Sequence, residues 1–511
     1  MKDQLMRSTP ARYCAWRRIL AVLVFAAAPG LAESPIRLHP DNSHYFLYKG
    51  KPTVLISSAE HYSALLNLNF DYSRYFEELG RNGFNQTRVF SGTYREAAVD
   101  PHGSTPLSPG KGPQNFISPW PLSDVEGGYD GRKYDLDRWN PAYFERLRKV
   151  AKRAEERGVI LELVLFCRMY TDANHWKISP LHPDNNLQGE PWRGVRHDRF
   201  LTLDNPELAA RQKAFVRKVV SELKDVPNVY FEIANEPASG PHDSAFAKDV
   251  FAWHEAMIGE IVGAESSMPA GDRHLIAYND HYQTGRGIGP IPASVGILNV
   301  HYLPKLAEAL DQYGKGRALS IDETRWIAHP SFGKYGNTMK PVSGRVEAWE
   351  FLLGGGAVYS NLNFAYQVKN EIGKDPESDE FKGYLRKLKG FINGFAFVRM
   401  RPDKEVIVEG MPQGSFTRVI AEPGKQYGAY IHHSSYGRGR SLYQVADEKK
   451  TLELVVALPA GSYKLEWIQP SDLSVLKSQT LANHPGGRIA LGRSPEHQAD
   501  IALRIVSNPK R

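Results

Sequence analysis

The run from Val229 to Pro237, Val-Tyr-Phe-Glu-Ile-Ala-Asn-Glu-Pro, constrains the fold more than any other stretch of the chain. Its first five residues are mostly apolar and rich in β-formers. They follow a helix-like segment and a Pro227-Asn228 turn, which is the pattern of a buried parallel strand. The far end is polar: Asn235 and Glu236 stand where the strand must stop, because Pro237 cannot donate to a sheet ladder. A carboxylate at the C-terminal end of a parallel strand is where barrel enzymes place catalytic groups.

A second run, residues 317–323, Arg-Ala-Leu-Ser-Ile-Asp-Glu, ends in Glu323. The two glutamates are 87 residues apart, three units of 29. A barrel of eight strand-helix units takes about 250 residues, so Glu236 and Glu323 fit the ends of strands 4 and 7 and face one mouth. The intervening alternation supports a (β/α)8 TIM barrel. Candidate strands are 53–57, 84–90, 159–166, 229–233, 274–279, 295–299, 317–323 and 357–363. Candidate helices are 70–79, 141–157, 206–224, 245–262, 344–353 and 378–395, several opened by Asn-Pro or closed by glycine.

Two long stretches interrupt the alternation. Residues 91–139 are rich in Pro and Gly yet contain Trp120, Tyr129, Tyr134 and Trp139, so they read as an ordered loop forming a wall of the mouth. Residues 167–203 carry Tyr170, Asp172, His175, Trp176, Trp192 and His197. Aromatic rings beside polar groups suit sugars, whose C–H faces are apolar and whose rims are hydroxylated, and Trp176 is a candidate platform. Loop packing is the competing role. His61, after the first strand, and Trp326, after Glu323, are further candidates for the mouth.

Asn-Glu-Pro with its strand, followed by the second glutamate, resembles clan A of the glycoside hydrolases, the retaining barrel enzymes that include the cellulase-like family 5. The likeness covers roughly residues 45–395. It implies that Glu236 is the acid/base and Glu323 the nucleophile. Arg88, inside the second strand, matches the arginine that lies beneath the nucleophile in that clan, and an arginine there needs a partner in any case. His301 and Tyr302, at the end of strand 6, resemble its histidine-tyrosine pair, although the clan often has a residue between them. Asn235 would bond the sugar 2-hydroxyl. Where many members place a tryptophan after strand 8, this chain has Asn361, Asn363, Phe364 and Tyr366. The implied substrates are β-linked glycans or their α-L-arabinofuranoside equivalents.

Asp322 competes with Glu323 for the nucleophile's role. Strand alternation sends adjacent side chains to opposite faces, so only one of the two is expected in the site. Burial and a neighbouring negative charge are expected to raise the pKa of Glu236.

The ends of the chain read differently from the barrel. Residues 1–32 combine five Lys/Arg, an apolar run from Ile19 to Ala28 and small residues at Gly30 and Ala32. This is the pattern of a secretory signal cleaved before Glu33, too short for the roughly 20 apolar residues of a membrane span. A secreted or periplasmic bacterial protein without a stable membrane anchor is expected. The whole chain is +7, and removing the signal's net +4 leaves +3, with no basic run interleaved with aromatics to bind nucleic acid. Cys14 leaves with the signal, so Cys167 has no partner within the chain. No zinc-type Cys/His spacing occurs, no cofactor is expected, and His432-His433 reads as a solvated loop pair. From residue 399 the texture becomes short alternating strands, a small all-β sandwich expected to pack on the barrel, with sugar binding as the alternative role. The expected domains are therefore a signal (1–32), a barrel (33–398) and a sandwich (399–511). The alternative to an enzyme is a non-catalytic carbohydrate-binding or envelope structural protein on a barrel scaffold.

Overall fold

The computed structural model describes residues 34–97, 107–237, 244–279, 291–301, 310, 313–328, 339–436 and 443–508. Eight parallel strands are β1 (Leu55–Ala59), β2 (Gln86–Phe90), β3 (Ile160–Cys167), β4 (Val229–Asn235), β5 (Ile276–Asn279), β6 (Val295–His301), β7 (Ala318–Glu323) and β8 (Val358–Leu362). From β2 to β8 they pair in sequence order, and β8 pairs with β1 in register from Val358↔Leu55 to Leu362↔Ala59, which leaves β1 and β2 side by side at the ends of the ladder. Every residue of these strands is buried, as expected of a sheet closed on itself and covered by helices.

A side chain helps to close the ring. Asn85, just before β2, accepts from the Ile56 N–H through Oδ1 at 2.9 Å and donates to the Val54 carbonyl through Nδ2 at 2.9 Å. Thr87 Oγ1 adds a 2.6 Å hydrogen bond to the Glu60 carbonyl. Around the ring lie α1 (Tyr72–Arg81), α2 (Pro141–Glu156), α3 (Pro206–Leu223), α4 (Ala245–Ala264), α5 (Pro341–Leu353) and α6 (Pro376–Asn393). Their starts are chemically set: Asp71, Asn140, Asn205, Ser244 and Asp375 each accept backbone N–H groups as N-caps, and Pro follows at α2, α3 and α6. Among the described residues, no helix is long and apolar enough to cross a membrane. The N-terminal strands Arg37–His39, Asn42–Tyr48 and Lys51–Thr53 form an antiparallel sheet at the opposite end of the ring from the loops that follow the strands. There the His44 ring meets the Arg317 carbonyl at 3.0 Å.

The described parts of the two long loops form one layer. Leu122–Glu126 and Arg132–Tyr134 make a hairpin in the first, and four short 3-10 turns order the second. Tyr134 bridges to Asn186, and the Leu187 N–H donates to the Tyr134 carbonyl at 3.0 Å.

From Arg401 the sheets are antiparallel. Six strands, Arg401–Pro402, Phe416–Glu422, Gln426–His432, Asp500–Ser507, Gly461–Ile468 and Val475–His484, lie side by side. A three-stranded sheet, Ile407–Glu409, Glu453–Leu458 and Gly487–Arg493, faces them. Alternation splits the larger sheet cleanly. Val419, Ala429, Ile431, Trp467, Leu503 and Ile505 pack into the sandwich core. Ile420, Tyr430, Ile468 and Ala502 join the barrel's core instead. The sheet is therefore buried on both faces, and Tyr430 stacks on Trp349 of α5 with ring centroids 5.4 Å apart.

Polar groups complete that seam. Arg345 makes a two-pronged ion pair with Asp500 at 2.9 Å on each arm, and Glu350 meets Arg418 at 2.7 Å and His432 at 3.1 Å. His432 and His433 are thus not a solvated pair. Both are buried, and His433 Nε2 lies 2.8 Å from His497 Nε2. A sheet covered on both faces buries successive side chains, which sequence alternation alone does not reveal.

Candidate active site

At the C-terminal mouth of the ring, β4 and β7 each break regularity where their carboxylates emerge. Glu236 sits one residue beyond β4 at φ 45°, in the left-handed region, which costs a non-glycine residue about 1–3 kcal/mol. The turn brings Asn235 and Glu236 into the same site although they are neighbours. On β7, pairing with β6 jumps from Asn299↔Ser320 to His301↔Glu323, so three steps of β7 oppose two of β6. That β-bulge brings both Asp322 and Glu323 to the interior side. The expectation that only one of the two could reach the site is therefore corrected: both do, in different layers.

Arg88 on β2 is the hub. Fully buried, it donates from Nη1 to Glu323 Oε2 at 2.7 Å, and from Nη2 to Glu232 Oε2 at 2.8 Å and Asn235 Oδ1 at 2.6 Å. Its Nε lies 3.0 Å from Asp322 Oδ2. Burial alone would lower its pKa, but Glu232, Asp322 and Glu323 outweigh that and hold it well above the ordinary value. Tyr62 approaches Glu323 from the other side, its hydroxyl 3.3 and 3.2 Å from the two oxygens. The loop that carries Tyr62 is pinned by Glu60, which accepts the N–H groups of Tyr62, Ser63 and Ala64 at 2.6, 2.7 and 3.2 Å. Burial pushes the Glu60 carboxyl up to about 7 against those donors.

Glu236 is held at both oxygens. Tyr170 donates its hydroxyl to Oε2 at 2.7 Å, and His301 Nδ1 lies 3.1 Å from Oε1. Asn235 Nδ2 donates to the Tyr170 hydroxyl at 3.0 Å. Burial drives the Tyr170 pKa well up, so its hydroxyl remains a donor. One oxygen each of Glu236 and Glu323 and a ring nitrogen of His301 all lie within 4.8 Å of one another.

Beneath this pair is a second buried layer. Glu162, Glu232 and Asp322 bring one carboxylate oxygen each within 4.8 Å of one another, with Arg88 as their cation. Burial raises Glu232 to about 7 against the pull of Arg88, and burial together with Asp322 and Glu232 raises Glu162 well above the usual carboxyl range. Glu162 accepts from Gln86, Tyr230 and Asn299 at 2.8, 2.8 and 2.5 Å.

No protein-family model and no curated protein matches the chain. Solved structures do. A glycoside hydrolase superposes with a TM-score of 0.54 at 12% identity, over 94% of this chain and 98% of that one. A glycoside hydrolase family 5 structure from Bacteroides vulgatus superposes with a TM-score of 0.56 at 11% identity, over 93% of this chain and 94% of that one. The chain shares the overall fold of these two structures. At such identities the likeness is one of fold, and chemistry has to come from the side chains themselves.

Within that fold, Arg88, Asn235, Glu236, His301 and Glu323 come together at one mouth of the barrel. His61 is fully buried against β8, with Nε2 3.0 Å from Ser360 Oγ, while Nδ1 has no hydrogen-bond partner among the described residues. Burial, then the charges of Arg88 and His301, hold its pKa well below the ordinary value. Trp326 is half-buried after β7, its ring edge-on to Phe364 at 5.8 Å. Tyr302 lies outside the described residues. Trp176 does not act as an open platform. It is 1% exposed, donates Nε1–H to the Val195 carbonyl at 3.1 Å and packs on His182 and Phe200, so it builds the interior of its loop. Trp192 does the same, bonding the Leu181 carbonyl at 2.8 Å.

Sequence reasoning missed Glu232 and Asn279 as members of the network; it set Tyr62 at the mouth, Tyr170 in the second loop and Asp322 as a rival nucleophile, without their bonds to Glu323, Glu236 and Arg88. For Glu232 a signal existed: a carboxyl in the middle of the apolar β4 run requires a buried cation, and Arg88 was already identified as one.

Proposed function

We propose that the protein is a retaining glycoside hydrolase in which Glu323 attacks the anomeric carbon and Glu236 protonates the departing oxygen. The observation that carries this is the separation of their carboxylates. Retention requires carboxyl groups about 5–5.5 Å apart, and inversion about 6.5–9.5 Å to admit a water; an oxygen of each lies within 4.8 Å of the other. The partners divide the roles. Glu323 is bonded by the Arg88 cation and by the Tyr62 hydroxyl, which hold its carboxylate in one orientation. Glu236 is held instead between a tyrosine hydroxyl and a histidine.

In the first half of the reaction Glu323 forms a glycosyl ester as the aglycone leaves with a proton from Glu236. In the second, Glu236 takes a proton from water, and the resulting attack at the anomeric carbon releases the sugar and restores Glu323. Asn235, with Arg88 on its oxygen, would bond the 2-hydroxyl. His61 offers a ring nitrogen with no partner among the described residues, and Trp326 a partly exposed ring. The substrate class we propose is β-linked glycans or their arabinofuranoside equivalents, reached outside the cytoplasm after loss of residues 1–32.

The test is intact-mass analysis after incubation with a panel of 2-fluoro glycosides. We expect the wild type to gain the mass of one sugar and Glu323→Ala to gain none, and the labelling glycoside identifies the sugar. No gain with any glycoside on a folded protein would sink the enzymatic reading in favour of a binding protein.

A further inference from the structure

We propose that Asp322 is a positioning residue for acid catalysis, acting through His301 to hold the proton that Glu236 delivers. The proposal rests on the glycosidase reading above and goes beyond it by assigning a store for that proton. Three buried groups stand in line: Glu236 Oε1 lies 3.1 Å from His301 Nδ1, and His301 Nε2 lies 3.3 Å from Asp322 Oδ1 and 3.4 Å from Oδ2. Asp322 is in turn fixed by Asn299 Nδ2 at 3.1 Å and by Arg88 Nε at 3.0 Å. The β7 bulge is what makes the line continuous, because regular alternation would leave either Asp322 or Glu323 outside the barrel.

The surroundings of His301 favour a charged ring. Glu236 and Glu232 face it from β4 and its end, Asp322 and Glu323 from β7, and His61 from the loop after β1. Asn279 from β5 sets its Nδ2 2.7 Å from Nε2, and its Oδ1 has no hydrogen-bond partner among the described residues, so exchanging the two amide atoms would pair the oxygen with a ring N–H. With the amide oxygen turned to the ring, a protonated Nε2 is fully satisfied. Arg88 is the opposing cation, and it is saturated by Glu232, Asn235 and Glu323. Burial alone would lower the His301 pKa, but Asp322 and then Glu236 reverse that and hold it well above the ordinary value.

The proton then moves in balanced steps. The Nδ1–H bond of His301 breaks as Oε1–H forms on Glu236, leaving a neutral imidazole that keeps Nε2–H towards Asp322. Glu236 passes the proton to the glycosidic oxygen as the bond to the anomeric carbon breaks. When water attacks the glycosyl ester, its proton returns to Glu236 and from there to Nδ1. Asp322 touches neither sugar nor water.

Two measurements test this. Ring 15N NMR of the histidines, with His301 assigned by His301→Gln, should show both nitrogens protonated at neutral pH in the wild type. In Asp322→Asn that titration should fall by at least about one pH unit. A neutral His301 in the wild type overturns the proposal, whether or not the variant folds. In kinetics with the sugar identified by labelling, Asp322→Asn should lose at least about tenfold more kcat/KM on a glycoside with a poor leaving group than on one that departs without acid help. Its basic limb of kcat/KM should also move to lower pH. Equal losses on both substrates overturn the proposal and place the role of Asp322 with Arg88 and the nucleophile. If no glycoside is turned over by the wild type, the glycosidase reading fails, while the NMR titration still decides where this proton sits.

Discussion

Replacing Arg88 by methionine tests the electrostatic core directly. The guanidinium serves Glu232, Asp322, Glu323 and Asn235 at 2.8, 3.0, 2.7 and 2.6 Å, and its three carboxylate partners are at most 3% exposed. Methionine fills similar volume but leaves those carboxylates without their cation. Breaking a buried charge network from one side costs about 3–5 kcal/mol. With an unfolding entropy of about 2 cal/mol/K per residue, a chain of this length shifts by roughly 1 °C per kcal/mol, so Tm should fall by about 3–5 °C. Differential scanning calorimetry at several pH values gives the sign as well as the size. Protonation of the orphaned carboxyls removes the buried charge, so the deficit should be largest above neutral pH and shrink as pH falls. An Arg88→Met protein that melts within about 1 °C of wild type at every pH would refute the hub.

Tyr170→Phe removes a hydroxyl from Glu236 and should lower kcat/KM on poor leaving groups by about tenfold or more, as expected for a hydrogen bond to a charged group, with Tm nearly unchanged. His254, buried in α4, has its pKa lowered from 6.5 to about 4 by burial, so the folded state refuses a proton that the unfolded state accepts. Its contribution to stability is present above pH 6.5 and lost as pH falls towards 4. His254→Phe should therefore gain stability relative to wild type over that interval, by up to about 3 kcal/mol in denaturant titrations, and a pH-independent difference would contradict the assignment. Asp500→Asn weakens the two-pronged pair with Arg345 at the seam and should destabilise barrel and sandwich together, seen as one calorimetric transition moving intact.

Much of the barrel was legible because most strands are apolar runs closed by a turn signal, and α1, α2, α3, α4 and α6 begin with a capping residue. The central run at Val229 to Pro237 located strand, carboxylate and neighbours with little ambiguity. What escaped notice depended on geometry that alternation does not encode. Asp322 was set against Glu323 because a regular strand cannot present both, and the extra β7 residue is visible only in its pairing with β6. Tyr62 and Tyr170 reach the carboxylates from loops, where many aromatics compete for the same role. Val475–His484 and Gly487–Arg493 passed unread as strands because they lie at sheet edges with mostly exposed side chains and no apolar stripe. The tryptophans of the second loop, Trp176 and Trp192, suited sugar platforms or loop packing, and both are loop interior.

The sheet that serves two cores bears on how this protein can be recombined. A bolt-on module meets its neighbour through a wettable surface and can be cut away or exchanged with little penalty. Here Tyr430, Ile420 and Ala502 belong to the barrel's interior, and Glu350 and Arg345 on α5 find their charge partners across the seam. A barrel truncated after α6 would expose apolar surface and orphan buried charges at once. Chimeras that graft a foreign C-terminal domain should therefore fail unless α5 travels with its own sheet, and the two halves are expected to have diverged as a single inheritable unit.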